Sequence, residues 1–191
     1  MAKDSNIIIT GAGGQGVMTV LDIAATAAMI EGYDVKSSEL HGLSQRGGTT
    51  LTYLKFGDKI YSPLFGPGQA DLVLGLELLE ALRATTFSSK KTNLVVNKKF
   101  IPFEGIVPEG NVLVALNEAT KANLYLVGAS EICNKELNNE VVSGIYLLGY
   151  ASFNKLINLK PTSIIKAIEK IVPQKYLDMN LKAFNLANTK R

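Results

Sequence analysis

Asn6-Ile7-Ile8-Ile9-Thr10 is an apolar, β-branched run that stops at Gly11-Ala12-Gly13-Gly14-Gln15-Gly16, and from Val17 to Met29 apolar positions recur at helical spacing among alanines. The pattern predicts a strand, a glycine turn and a helix. Gly32 and Tyr33 end that helix, and Asp34 to Glu39 is predicted as a second strand, completing a βαβ unit with a right-handed crossover. Thr49 to Phe56 alternates threonine with leucine, tyrosine and lysine at period two, Gly57-Asp58 has turn chemistry, and Lys59-Ile60-Tyr61 reads as the return strand of a β-hairpin.

Further along, Ala70 to Gly75 is a short buried strand, followed by a helix from Glu77 to about Ala84 with Leu78, Leu79 and Leu82 on one face. Asn93 to Val96 and Leu124 to Val127 are predicted strands, while Asn111 to Lys121 fits either a helix or a strand plus turn. The last third is helical: an apolar segment from Asn139 to Asn154 containing Gly144 and Gly149, a helix entered at Pro161-Thr162-Ser163 with an isoleucine stripe (164, 165, 168, 171) ending before Pro173, and an amphipathic segment from Lys175 to Leu186. The expected fold class is α/β, with a Rossmann-like βαβ start, a mostly parallel sheet, an inserted β-hairpin and a helical C-terminal part. Neither repeats nor a linker divide the chain, so residues 1–191 are expected to form a single domain.

Composition narrows the classes of function. A chain of 191 residues can bury ~70% of its unfolded surface, so it needs no staples to hold a core. It has one cysteine, Cys133, expected to be a buried, inert thiol, and a cytoplasmic location follows from the lack of disulfide pairs. The mostly apolar stretch Leu21 to Ile30 contains Asp22 and falls short of the ~20 residues that span a bilayer, so neither export nor a membrane is expected. Net charge is +3, with lysines scattered as pairs and singletons, which argues against nucleic acid as a partner.

The candidate chemistry gathers in two glycine-rich loops. Gly11-x-Gly13-x-x-Gly16 between strand and helix is suited to a tight turn, close approach of backbone to a ligand, and an anion held by unpaired N–H groups, with Gly14 and Gln15 in the same turn. Glu39, about 20 residues beyond the last glycine, stands where a dinucleotide reader bonds its ribose, but a complete dehydrogenase is not expected from a chain with one histidine and no separate substrate domain. The second loop, His41-Gly42-Leu43-Ser44-Gln45-Arg46-Gly47-Gly48, is expected to face the first across a cleft at the carboxyl ends of the strands. Arg46 would supply a planar donor fork there, and Gln45 and His41 neutral hydrogen-bonding groups. His41 reads either as a packed residue or as a proton carrier, and Glu77 and Glu80 read first as carboxylates that complement a helix dipole.

The stretches "NIIITGAGGQGVMT", "SSELHGLSQRGGTTLTYLKFGDKIYSPL" and "ADLVLGLELLEALRA" together resemble the gamma-type domain of the 2-oxoacid:ferredoxin oxidoreductases, and His41 to Gly48 is similar to the form found in the indolepyruvate branch. The chain departs from the family pattern at Ser143, where asparagine is usual, and at Leu78, where proline is usual. The resemblance implies oxidative decarboxylation of an aryl 2-oxoacid such as indolepyruvate to an aryl-acetyl-CoA, in a complex that uses thiamine diphosphate, magnesium, iron–sulfur clusters and coenzyme A, with ferredoxin as electron acceptor. A cluster takes about four thiolates and this chain has one; it also lacks the Gly-Asp-Gly and paired asparagines that hold thiamine diphosphate. The implied arrangement is a subunit that binds none of these groups alone, is inactive alone, and packs against a large alpha subunit carrying them. Two other readings stay open: the gamma subunit of a pyruvate or 2-oxoglutarate enzyme, and a stand-alone nucleotide-binding regulatory protein.

Overall fold

The structure, a computed structural model, describes residues 4–41, 48–102, 108–120 and 123–188. β1 (Ser5–Ala12) carries Ile7, Ile8 and Ile9, all fully buried, so both of its faces are covered. α1 (Val17–Ile30), β2 (Asp34–His41), β3 (Thr49–Gly57), β4 (Leu72–Gly75), α2 (Leu78–Ala84) and β5 (Asn93–Asn97) follow. Then come α3 (Glu109–Ala119), β6 (Asn123–Val127), α4 (Ala129–Leu137), α5 (Ser143–Phe153), α6 (Pro161–Ile171) and α7 (Gln174–Leu186), with 3₁₀ turns at Thr85–Phe87 and Glu140–Val142.

The strands form one sheet in the order β2-β3-β1-β4-β5-β6, and β3 runs against the other five. Because side chains alternate across the sheet, Ile7 and Ile9 join a core with α1, α5, α6 and α7 on one face, while Ile8 joins a smaller core with α2 and α3 on the other. Buried Ala24, Ala27 and Ala28 let α1 lie close to its neighbours, α6 among them. Gly149 does the same for α5 against α7: a Cβ there would stand 2.6 Å from the Phe184 carbonyl oxygen.

The α/β class, the mostly parallel sheet and the helical C-terminal part are as expected. The predicted 49–61 hairpin is not. β3 pairs with β1 on one edge (Ile8 opposite Tyr53) and β2 on the other (Ser38 opposite Tyr53), so neither edge is left for a return strand. The Ile60 N–H instead donates to Asp34 Oδ2 at 2.8 Å, and Tyr61 turns out to solvent. β3 also separates β1 from β2, which makes the opening βαβ unit a crossover between parallel strands that are not neighbours. Residues 109–119 resolve as helix, held by buried Val112 and Leu116 at i, i+4 spacing. α4 has no counterpart in the expected elements. Its buried residues, Ala129, Ser130 and Cys133, are too small and too mixed to form an apolar stripe.

Candidate functional site: the crevice at the carboxyl edge of the sheet

β1 and β4 are parallel neighbours, with Ile7 opposite Leu72 and Thr10 opposite Gly75. The chain leaves β1 into α1 on one face and leaves β4 into α2 on the other, so the connections diverge between these strands. In open α/β sheets such a switch point opens a crevice beyond the strand ends, and the glycine turn lies on its rim.

The floor of the crevice is a stitched polar network around the backbone of Leu76. Its N–H donates to the Thr10 carbonyl at 2.8 Å, and its carbonyl accepts from Asn97 Nδ2 at 3.2 Å and from Gln15 Nε2 at 3.4 Å. Asn97, fully buried at the end of β5, also donates to Ser130 Oγ at 2.8 Å and accepts from the Ser130 N–H at 3.1 Å. Four segments, from the glycine turn to the start of α4, are thereby fixed to one another at the strand ends.

The turn itself needs its glycines for different reasons. Gly14 (φ 96°) and Gly16 (φ 77°) occupy left-handed conformations. Gly11 is a close-packing position, where a Cβ would meet Gln15 Oε1 at 2.9 Å and Leu76 Cβ at 3.0 Å. Gly16 caps α1 without a side chain, and the first turn of that helix holds no acidic residue, so the helix supplies no counter-charge of its own to its first N–H groups. Gln15 is an internal strut: its Oε1 accepts from the Ala12 N–H at 2.7 Å while its Nε2 reaches Leu76.

The structure brings the two glycine-rich segments together at one point. The Gly13 N–H donates to the Gly48 carbonyl at 2.9 Å, and His41 lies in β2 opposite Thr50, which is itself opposite Gly11 in β1. Gln45, Arg46 and Gly47 lie outside the described residues. Glu39 is not beside the glycine turn: β3 intervenes, and two strand spacings, about 10 Å, separate β2 from β1. It lies opposite Thr52, and its charge acts on Asp22 of α1. A ribose-binding role for Glu39 next to the Gly11–Gly16 turn therefore has no geometric support.

The structure adds a group on the α2 side. Glu77 caps α2, accepting from the Glu80 N–H at 2.9 Å, and also accepts from the Ile101 N–H at 3.2 Å. Glu80 Oε1 accepts from Arg83 Nη1 at 2.6 Å and from the Thr49 hydroxyl at 3.2 Å, and Arg83 donates to Thr49 Oγ1 at 2.8 Å. The two carboxylates thus tie down the segment after β5 and the start of β3. The expectation that they support the helix start holds; their burial and their cross-links to other segments were not readable from spacing.

Burial raises the pKa of both glutamates, opposed for Glu80 by Arg83 and Thr49, and for Glu77 by backbone N–H groups. An acid whose folded pKa lies above its unfolded value contributes stability at low pH that is lost as pH rises through the folded pKa. The melting temperature of Glu80→Gln relative to the unsubstituted protein is therefore expected to climb as pH is raised from 4.5 towards neutrality. A pH-independent difference between the two melting curves would contradict this.

The donor set does not fit an iron–sulfur cluster. Cys133 is the one cysteine of the sequence; it is fully buried, and burial pushes its thiol up to about 11. Among the described residues, no helix is long and apolar enough to cross a membrane.

Comparison with known proteins places this geometry in context. Over 190 residues, 96% of this chain and 94% of the relative, the sequence is 32% identical to the indolepyruvate oxidoreductase subunit IorB of Pyrococcus horikoshii. The fold matches the gamma subunit of a keto/oxoacid ferredoxin oxidoreductase from Geobacter sulfurreducens, with a TM-score of 0.73 at 21% identity and 97% of each chain covered. It also matches 31% of the longer chain of the 2-oxoglutarate:ferredoxin oxidoreductase of Magnetococcus marinus, solved with 2-oxoglutarate, coenzyme A and succinyl-CoA, with a TM-score of 0.75 at 20% identity over 98% of this chain. The model of the pyruvate ferredoxin/flavodoxin oxidoreductase family matches residues 6–189, and the chain belongs to that family.

Proposed function

We propose that this chain is the small subunit of a cytoplasmic complex that oxidatively decarboxylates an aryl 2-oxoacid of the indolepyruvate type, forming an acyl-CoA and reducing ferredoxin. The observation that carries this reading is near-full-length similarity to a subunit of an indolepyruvate oxidoreductase, in a chain with one buried thiol and therefore no ligand set for a cluster. The larger alpha subunit brings thiamine diphosphate with magnesium and the clusters. Decarboxylation and electron transfer belong to those groups. The nucleotide-binding alternative rests on the glycine turn alone, because β3 stands between that turn and the strand that carries Glu39.

This chain's contribution lies at the carboxyl edge. Within the turn the Gly13 and Gln15 N–H groups are already bonded, to the Gly48 and Ala12 carbonyls, so the N–H groups of Gly14 and Gly16 are the candidates to meet an anion; Arg46, between β2 and β3 in the sequence, would add a cation. Exposed Lys98 follows β5 there. Such a rim suits the phosphates of coenzyme A or an acidic surface of the alpha subunit. His41, at the start of the same loop, would either pack or carry a proton between solvent and the composite site.

Arg46→Ala is expected to raise the KM for coenzyme A about tenfold, or to weaken assembly by a similar factor, since a charge-assisted contact to phosphate or carboxylate accounts for ~1.5–3 kcal/mol. Unchanged coenzyme A dependence together with intact assembly would reject the assignment of this rim. The complex itself is tested by isolating the chain from its native cells, where a larger cysteine-rich partner with the brown colour of clusters should accompany it. Turnover of an oxoacid by this chain alone would end the subunit reading, and a panel of indolepyruvate, pyruvate and 2-oxoglutarate would separate the branches.

A further inference from the structure

A groove of about 660 Å³ opens beside the glycine turn, on the α1 face of the sheet. One wall is the start of α1, with Gln15, Gly16, Thr19 and Val20. The second is the 3₁₀ turn and the start of α5, and the third is the junction of α6 and α7. The α5 backbone can approach α1 this closely because residue 144 is glycine, whose Cβ would fall 2.7 Å from Val20 Cγ2.

Three features of the lining define what would fit. First, it is largely apolar and leaves large side chains uncovered: Val141 is 63% exposed and Tyr176 49% exposed, and both sit on the same groove. Second, one buried amide offers it an acceptor. Asn180 is 8% exposed and its Nδ2 donates to the Tyr176 carbonyl, while its Oδ1 has no partner among the described residues. Third, Asp22 is the one charged residue of the described lining.

We propose that this groove is a docking site for an apolar segment of the larger subunit that carries a lysine or arginine opposite Asp22 and a hydrogen-bond donor for Asn180. The inference rests on the reading of this chain as one subunit of a complex. Apolar walls take the aliphatic or aromatic side chains of such a segment, and the acid and the amide oxygen fix its orientation. Gln15 and Gly16 line both groove and crevice, so a segment seated in the groove ends at the mouth of the crevice. Docking there would hold the rim against the site that the two subunits build together.

The test measures association of the purified larger subunit with this chain and with its variants Val141→Asp, Tyr176→Asp and Asp22→Lys, each checked for an unchanged far-UV spectrum and melting temperature. Leu64→Asp is the control, at a residue 56% exposed in the segment joining β3 to β4, at the opposite edge of the sheet. Val141→Asp and Tyr176→Asp are expected to weaken association about tenfold or more. Asp22→Lys should weaken it too, with a loss that shrinks as salt is added. Leu64→Asp should have no effect. If the unsubstituted chain assembles and all three groove variants assemble equally well, the groove is not the docking site, though the complex stands. If the unsubstituted chain does not bind the larger subunit, the subunit reading falls and this proposal with it. Self-association of the chain that Val141→Asp abolishes, with binding of the larger subunit intact, would assign the groove to a second copy and overturn the proposal.

Discussion

Asn97→Leu is expected to destabilise the protein by about 3–5 kcal/mol, which for a chain of this length lowers Tm by roughly 6–20 °C. Leucine has nearly the shape of asparagine, so the loss does not come from a cavity. It comes from a buried N–H and a buried hydroxyl on Ser130 and from the Leu76 carbonyl, which lose hydrogen-bond partners at 3.1, 2.8 and 3.2 Å. Leaving a buried polar group unpaired costs ~1–3 kcal/mol, and the hydrogen bond of Gln15 to Leu76, at 3.4 Å, is too long to replace the one lost. Urea denaturation of the isolated chain measures the effect directly. A loss below about 1 kcal/mol would mean that the network is already relaxed by water, and the crevice floor would then not be the rigid element described above.

Gly149→Val is expected to cost about 3 kcal/mol, the upper end of what overpacking typically costs. The new Cβ would stand 2.6 Å from the backbone oxygen of Phe184 and 3.1 Å from Ala187 Cβ, and neither neighbour is a flexible side-chain end. α7 would have to move away as a unit, dragging Phe184 from its place beside Phe153, where the ring centroids are 5.1 Å apart. Gly110→Val is the matched control, since among the described residues nothing lies within 4 Å of a Cβ at that position. Thermal unfolding should separate the two clearly. Equal effects would point to helix propensity, not contact, as the cause.

How much of this was legible beforehand depends on whether the signal is local. β1, the glycine turn and α1 were readable because an isoleucine run, left-handed glycine positions and an apolar helical period lie next to one another in the chain. Period two in Thr49 to Phe56 correctly gave a strand, but alternation encodes which face is buried and not which strand lies alongside. The partners of β3 are therefore not in the pattern: one is β2, the strand just before it, and the other is β1, some forty residues away. That same insertion moved Glu39 away from the glycine turn. At the candidate site, Gly14 and Gly16 were visible from their types, whereas the Leu76 carbonyl was not: backbone atoms acquire a role only when the fold brings Asn97 and Gln15 to them. The groove was invisible for a similar reason, since Val141, Tyr176 and Asp22 belong to segments that meet only in the folded chain.

The antiparallel β3 also sets an order of events during synthesis. β2 finds no hydrogen-bonding strand among the described elements except β3, and β1 can acquire only β3 or the later β4. A nascent chain that has emerged only as far as His41 therefore holds two strands of the sheet that cannot pair with each other. Their union waits until Gly57 has cleared the ribosome and a strand threads between them, and until then the isoleucines of β1 are exposed to whatever chaperone or neighbouring chain reaches them first.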